Sequence, residues 1–188
     1  MSARRSSGAK KAKPARKARP RAAATRASRR RRGARPRAGD PSRIAAELVH
    51  SILAHEGVDR AEVGLAHGTD DVVRVLNKRY RGMDKATDIL SFTYEDDRDA
   101  RGQRLLVGDL VISVPRLLAQ ARRYRTTPGR ELARLLTHGA LHLCGHDHVK
   151  VGERKKMRAR EQVHMDAIGG GSERALTRLV RTWERESD

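Results

Sequence analysis

The sequence predicts a single α+β domain, a small mixed β-sheet packed with about five to six helices, preceded by a basic tail. Two observations indicate this fold class. Segments with apolar residues at helical spacing alternate with short β-rich segments in the order α-β-α-β-β-α-α-α-α. The 149 residues that follow Gly39 are enough to bury one hydrophobic core. We therefore divide the chain into a tail, residues 1–40, and one folded domain, residues 41–188.

The tail is recognised by its charge and by its lack of apolar residues. The whole chain has 42 Lys and Arg against 23 Asp and Glu, a net charge of +19. Sixteen of the basic residues and none of the acidic ones lie in residues 1–39, so the rest of the chain has 26 basic and 23 acidic residues. Met1 is the only large apolar residue of this segment. Since such a segment cannot offset the entropy of ordering its backbone, we expect it to be disordered.

Four elements are predicted in the first half of the domain. Ser42 is expected to cap the first helix, which stops at Gly57, and Thr69 is expected to cap the second. The buried side of the second helix is predicted to include Val73 and Val75. The four elements cover residues 42–57 (helix), 61–66 (strand), 69–81 (helix) and 88–94 (strand).

Strand and helix signals continue in the second half. Residues 104–113 are predicted to form two short β segments with a bulge or kink at Gly108. Pro128 is expected at the first position of a helix that runs to Leu143 and is ended by Gly145. The glycines at 169–171 are interpreted as a hinge, after which Ser172 caps the last helix. The helices of this half start at Pro115, Pro128, about Gly152 and Ser172.

The single cysteine, Cys144, excludes an internal disulfide and fits a reducing compartment. No run approaches the roughly 18 apolar residues of a membrane span. The basic start also lacks the apolar stretch of a secretory signal and the apolar face of an amphipathic transit helix. We expect a cytoplasmic protein with no membrane partner.

The segment most informative about chemistry is HGALHLCGHDH, residues 138–148. His138 and His142 are four residues apart on a predicted helix, which places both imidazoles on one face. Gly145 can take the left-handed conformation that ends a helix, so the chain can turn back and bring His148 to the same point. Three imidazoles that leave a fourth position open are typical of a catalytic zinc site, with one Zn²⁺ per chain.

The spacing matches the zinc protease pattern H-E-x-x-H-x-x-G-x-x-H except at one position. Gly139 stands where those proteases carry the glutamate that acts as general base, and this argues against peptide hydrolysis. The remaining polar residues are weaker metal candidates. His146 is expected to point elsewhere, Asp147 to orient a histidine or stabilise the turn, and Cys144 to be a small buried thiol.

Three segments together resemble the YbeY family. Residues 138–148 are similar to its pattern H-G-x-L-H-L-x-G-[aromatic or His]-D-H. LNKRYRG at 76–82 followed by TDILSF at 87–92 resembles its "LN…YRG…TD(V/I)LSF", and GDLVIS at 108–113 its "GD(I/L)-x-I-S". The segments occur in the family's order and cover roughly residues 44–165, so the basic tail lies outside the pattern.

The resemblance implies a metal-dependent endoribonuclease with a metzincin-like three-histidine site. By position, His138, His142 and His148 would bind zinc, and Arg81 of the "YRG" segment would have a catalytic role. Single-stranded RNA would be the substrate, in 16S ribosomal RNA 3′-end maturation and ribosome quality control. The small ribosomal subunit and its assembly factors would be the partners.

Basic residues on both sides of the histidines suit an RNA substrate, because they could form a groove that follows the phosphates. Two alternatives stay open: a zinc hydrolase of another substrate, such as a peptide or phosphoester, and a non-catalytic ribosome assembly factor with structural zinc. The basic residues are Arg122, Arg123, Arg125, Arg130 and Arg134 before the motif, and Lys150, Arg154, Lys155, Lys156, Arg158 and Arg160 after it.

Overall fold

The computed structural model describes residues 39–98, 104–146 and 151–187. Within these ranges six helices and three strands follow one another in the predicted order, which confirms the α+β class and the single domain. The expected disorder of the basic tail concerns residues that lie almost entirely outside the described ranges, and it stays a prediction. The elements are α1 (Pro41–His55), β1 (Ala61–Gly68), α2 (Asp70–Arg81), β2 (Ile89–Arg98), β3 (Arg104–Ser113), α3 (Val114–Arg123), α4 (Pro128–Leu143), α5 (Val151–Asp166) and α6 (Gly170–Ser187).

The sheet is mixed, as predicted, with strand order β1-β3-β2. β1 runs parallel to β3, in a register that pairs Ala61 with Leu106 and Gly68 with Ser113. β2 runs antiparallel to β3 and pairs Ile89 with Ile112. β3 is therefore the central strand, and it contributes the most buried apolar residues of the three strands: Val107, Leu110, Val111 and Ile112.

The bulge or kink expected at Gly108 is wrong. β3 continues through Gly108 and its pairing with β1 is uninterrupted, whereas the register shift of the sheet lies in β2, between Tyr94 and Asp97. The glycine is needed for close packing instead, because a Cβ at position 108 would come within 2.8 Å of the Phe92 carbonyl oxygen and 2.9 Å of a Leu143 methyl.

Two details of the first helices also differ from expectation. α1 is capped by Asp40, whose carboxylate accepts from the Ser42 amide at 3.0 Å, because Pro41 occupies the first helical position and lacks a donor. In α2, Thr69 is the cap as predicted and Val73 is buried, but Val75 is 63% exposed. The buried stripe runs through Val73 and Asn77, four residues apart, and position 75 lies on the opposite side.

α4 is the central helix of the domain. It packs against α1, α3, α5 and α6 and against β2 and β3. Its N-terminal end approaches α6 so closely that a Cβ at Gly129 would lie 2.1 Å from the Glu173 carbonyl oxygen. The Gly129 amide also donates to the Thr177 hydroxyl at 3.1 Å. The apolar side chains of α4 are buried, and four of its leucines are completely so: Leu132, Leu135, Leu136 and Leu141.

α6 begins at Gly170, earlier than expected. Gly170, Gly171 and Ser172 belong to its first turn, so neither the hinge over 169–171 nor the Ser172 cap is correct. Leu176, Val180 and Trp183 of α6 are buried in the core. None of the helices in the described ranges is both long enough and apolar enough to cross a membrane.

Candidate metal centre

His138 and His142 lie one turn apart near the end of α4, as their spacing predicts. α4 is fixed at its start by Thr127, whose hydroxyl accepts from the Arg130 amide at 3.1 Å. The Nε2 atoms of the two imidazoles are 3.1 Å apart and the rings meet edge to face. Two ligands at about 2.0–2.1 Å from a tetrahedral metal are separated by about 3.3 Å. The two nitrogens therefore have a spacing that fits a zinc ion.

The turn after α4 contains a glycine in the left-handed conformation. Gly145 has a φ of +90°, the left-handed conformation predicted for it. The Gly145 amide donates to the His142 carbonyl oxygen at 3.0 Å and the His146 amide to the Leu141 carbonyl oxygen at 3.1 Å, which reverses the chain. His148 lies outside the described residues, so its place beside His138 and His142 stays a prediction.

Glu161 of α5 is a site residue that the sequence did not indicate. Its Oε1 lies 2.6 Å from Nδ1 of His138. A carboxylate at this nitrogen keeps the proton on Nδ1 of a neutral imidazole and leaves Nε2 as the metal-binding atom. No local pattern indicates this pair, because Glu161 is 23 residues from His138 within a helix rich in Lys and Arg.

Glu161 is held as a carboxylate by its surroundings. Burial raises its pKa, but the hydrogen bond with His138 and the charge of Arg134 act in the opposite direction, and the net shift is downward. Arg134 itself is half-buried in α4, with Nη2 2.6 Å from Glu131 and 3.6 Å from Asp88. An ordered cation thus lies one helical turn before His138.

Position 139 faces the sheet rather than the imidazoles. A Cβ at Gly139 would lie 2.8 Å from the Ile89 Cδ1 and Leu110 Cδ2 methyls and 3.2 Å from the Ser91 hydroxyl. A side chain there would enter the core between α4 and the sheet. The absence of the protease glutamate therefore follows from packing as well as from chemistry.

Cys144 and His146 do not join His138 and His142. Cys144 is the C-cap of α4, and burial together with the charge of Glu56 raises the pKa of its thiol to about 11. The thiol has intermediate burial and is therefore less buried than the small buried thiol expected from the sequence. His146 binds Glu56 instead, with its Nε2 2.9 Å from Oε2. His55, Glu56 and His164 form a separate group whose potential ligand atoms all lie within 4.8 Å of one another.

Comparison with known proteins agrees with these features. A family model described as Endoribonuclease YbeY matches residues 37–169. The chain belongs to this family. Endoribonuclease YbeY of Alkaliphilus metalliredigens is 41% identical over 120 residues, which cover 62% of this chain and 77% of the relative. The protein of the same name from Desulforamulus reducens is 39% identical over 131 residues (68% and 86%), and that from Chloroflexus aurantiacus 41% over 135 residues (68% and 87%).

The matched range leaves out most of the tail and the whole of α6, in agreement with the extent of the YbeY resemblance. Within it, the segment 76–82 brings Arg81 to the sheet. Arg81 is the last residue of α2, and its exposed side chain donates to the Ser91 carbonyl oxygen at 3.3 Å. The Ser91 hydroxyl faces Gly139 of α4, so Arg81 is held on the strand that packs against α4.

Asn77, in the same YbeY segment, has a structural role. It is buried, and its side-chain amide donates to the Lys85 carbonyl oxygen at 2.7 Å. The main-chain carbonyl oxygen of Asn77 accepts from the Met83 amide, and Gly82 ends the helix with a φ of +73°. Asn77 thereby fixes the loop that follows Arg81.

The TD pair of the next YbeY segment is a structural junction. Asp88 is hydrogen-bonded to the Ile89 amide at 3.0 Å, to the Thr87 hydroxyl at 3.0 Å and to the Gln120 amide group at 3.0 Å. Burial raises the pKa of Asp88, but these hydrogen bonds and the charge of Arg134 lower it by a larger amount, so the net shift is downward. Asp88 ties β2 to α3 and α4.

The basic residues around the motif are not equivalent. Arg134 is paired within the domain and does not belong to an open groove, which corrects the expectation for this residue. Arg130 also lies near a carboxylate, 3.8 Å from Glu173. On α5, Lys155, Lys156 and Arg158 are exposed, as are Arg122 and Arg123 at the end of α3.

Proposed function

We propose that this protein is a zinc-dependent endoribonuclease that cleaves single-stranded RNA, acting in 16S ribosomal RNA 3′-end maturation and ribosome quality control. The observation that carries the proposal is the pair of imidazole nitrogens of His138 and His142 at 3.1 Å, with Glu161 behind His138, in a chain of the Endoribonuclease YbeY family.

The metal would be held by His138, His142 and His148. All three are neutral ligands, so the ion would keep its full charge; when bound, zinc lowers the pKa of a water ligand to about 7 and polarises a phosphoryl oxygen. Glu161 supports this assignment because a carboxylate on Nδ1 raises the basicity of the liganding imidazole and fixes its orientation.

Arg81 would bind the phosphate that is cleaved. Negative charge builds on the equatorial phosphate oxygens during cleavage, and a guanidinium can donate to two of them at once. Its exposed side chain rests on the carbonyl oxygen of Ser91, a weak contact at 3.3 Å that a phosphate could replace.

Exposed basic residues would supply the rest of the RNA affinity. Lys155, Lys156 and Arg158 lie on α5, the helix that also carries Glu161. Only five aromatic residues occur in the chain, so base stacking would contribute little and binding would depend strongly on salt. The small ribosomal subunit and assembly factors would be the partners, in the cytoplasm.

A cleavage assay with matched variants tests the proposal. The purified chain should cut a single-stranded RNA and leave a duplex of the same sequence intact, and a chelator or His142→Ala should abolish cutting. His50→Ala is the control, since His50 is an exposed histidine on α1. Cleavage that survives both the chelator and His142→Ala would contradict the assignment, and activity on a peptide panel would indicate another substrate class.

The cellular role needs a separate measurement. Sequencing of ribosomal RNA ends from cells depleted of the protein should find 16S RNA with extended 3′ ends. Restoration by the parent chain and by His50→Ala, but not by His142→Ala, is the expected result. Normal 3′ ends after depletion would argue against a maturation role. The nuclease activity itself would still be decided by the RNA cleavage assay.

A further inference from the structure

Glu56 is a nearly buried carboxylate surrounded by imidazoles from three parts of the chain. Glu56 directly follows His55, the last residue of α1, and its side chain is 5% exposed. His164 of α5 has its Nε2 3.2 Å from Oε1, and His146 has its Nε2 2.9 Å from Oε2. His55, its neighbour in sequence, has Nδ1 3.7 Å from Oε1.

The positions of these atoms match the spacing of metal ligands. Ligands of a tetrahedral zinc lie about 3.3 Å apart. The separations from Glu56 Oε1 to His164 and to His55 are 3.2 and 3.7 Å, and the ligand atoms of all three residues lie within 4.8 Å of one another. The His55 side chain is 52% exposed, so its ring has room to rotate towards an ion.

The charge and burial of the group favour an ion as well. The Glu56 side chain is only 5% exposed, so a carboxylate at this position requires compensating positive charge, which an ion would supply. Arg160 is the only neighbouring fixed cation among the described residues that contact Glu56, with Nε 3.8 Å from Oε1. Its side chain is 49% exposed and can turn outward without opening the core.

We propose that His55, Glu56 and His164 form a second zinc site, separate from the one at His138 and His142. Two imidazoles and one carboxylate are a donor set that suits zinc and does not suit magnesium or calcium, which prefer oxygen ligands. His146 binds the other oxygen of Glu56 and orients the carboxylate towards the ion.

The site would act on structure rather than on substrate. It would fasten the end of α1 to α5 through His55, Glu56 and His164. Glu161, which orients His138, precedes His164 by three residues and lies on the same side of α5. An ion at the second site would therefore hold the helix that supports the first one.

Zinc binding to the full-length chain carrying His138→Ala and His142→Ala isolates the second site. The basic segment 1–39 has no His, Cys, Asp or Glu and cannot compete for the ion. Titration against a chromogenic chelator should give one zinc per chain. Adding His55→Ala or Glu56→Gln should weaken that binding at least tenfold, whereas adding His50→Ala, a histidine on the same helix, should leave it unchanged.

Two results would overturn the proposal. One is a double variant that keeps the parent's circular dichroism but binds no zinc. The other is equal affinity with and without His55. Where the double variant does not fold, the parent chain gives the answer by mass spectrometry: two zinc ions are expected, and His55→Ala should lose one. An unchanged metal content in His55→Ala would exclude the site. None of these readouts depends on RNA cleavage.

Discussion

Gly139 offers a stringent test of how the helix that carries the histidines is seated. Glu at this position would restore the zinc protease pattern in sequence. The structure predicts the opposite of a gain in function, because a Cβ there already lies 2.8 Å from two methyl groups of Ile89 and Leu110. Both methyls end flexible side chains, so they can shift, but only by disturbing the packing of α4 on the sheet.

The expected magnitudes follow from that contact. Overpacking of this kind costs about 1–3 kcal/mol. Replacing a helical glycine by alanine returns about 1 kcal/mol, so Gly139→Ala should lower the free energy of unfolding by about 0–2 kcal/mol. Gly139→Glu also buries a carboxylate with the Ser91 hydroxyl as its near polar neighbour, and the loss should reach several kcal/mol.

Urea unfolding of the two variants measures these losses, with zinc content and peptidase activity recorded in parallel. Gly152→Ala is the matched control, because a Cβ at this α5 position would meet nothing within 4 Å. It should be as stable as the parent or slightly more stable. A Gly139→Glu protein that unfolds like the parent, or that hydrolyses peptides, would refute the packing argument.

Four further predictions concern separate parts of the molecule. Glu161→Ala should weaken zinc binding about 10–100-fold without unfolding the chain, and unchanged affinity in a chelator competition would contradict its role on His138. Arg81→Ala should reduce RNA cleavage about 10²–10³-fold with zinc content intact, and Arg81→Lys should restore little of it; cleavage within a few-fold of the parent would return Arg81 to an ordinary surface residue. Asp88→Asn should cost about 1.5–3 kcal/mol at pH 7. Because the folded pKa of Asp88 is lowered, its contribution is present above about pH 4 and is lost as the pH falls through the folded pKa, so the variant's stability should change less with acid than the parent's. Deleting residues 1–39, which keeps the Asp40 cap of α1, should weaken RNA binding at low salt, flatten the salt dependence by about 0.7 in log–log slope per phosphate no longer contacted, and leave the catalytic constant unchanged; identical slopes would show that the tail does not touch RNA.

Features that depend on local spacing were predictable from the sequence. The i, i+4 separation fixed His138 and His142 on one face of a helix, and Gly145 marked the left-handed turn after it. The place of Arg81 at the end of a helix followed from Gly82 in the same way. Each of these depends on residues within one or two turns of chain.

Features that depend on packing between distant elements were not predictable. Glu161 meets His138 only because α5 folds back along α4, and Glu56 meets His164 across 108 residues. The error at Gly108 has the same origin. Glycine in a strand signals either an irregular backbone or a close neighbour, and one of the close neighbours here, Leu143, belongs to α4, which is distant in sequence.

The close approach of Gly129 to α6 determines where this chain can be shortened. The match to the family model ends at residue 169 of this chain, yet the first turn of α4 rests on the main chain of Glu173 and Thr177. A fragment cut at 169 would uncover the apolar residues that Leu176, Val180 and Trp183 now cover. In this protein the segment that defines the family and the segment that folds independently are therefore different lengths of chain, and the second must include the terminal helix.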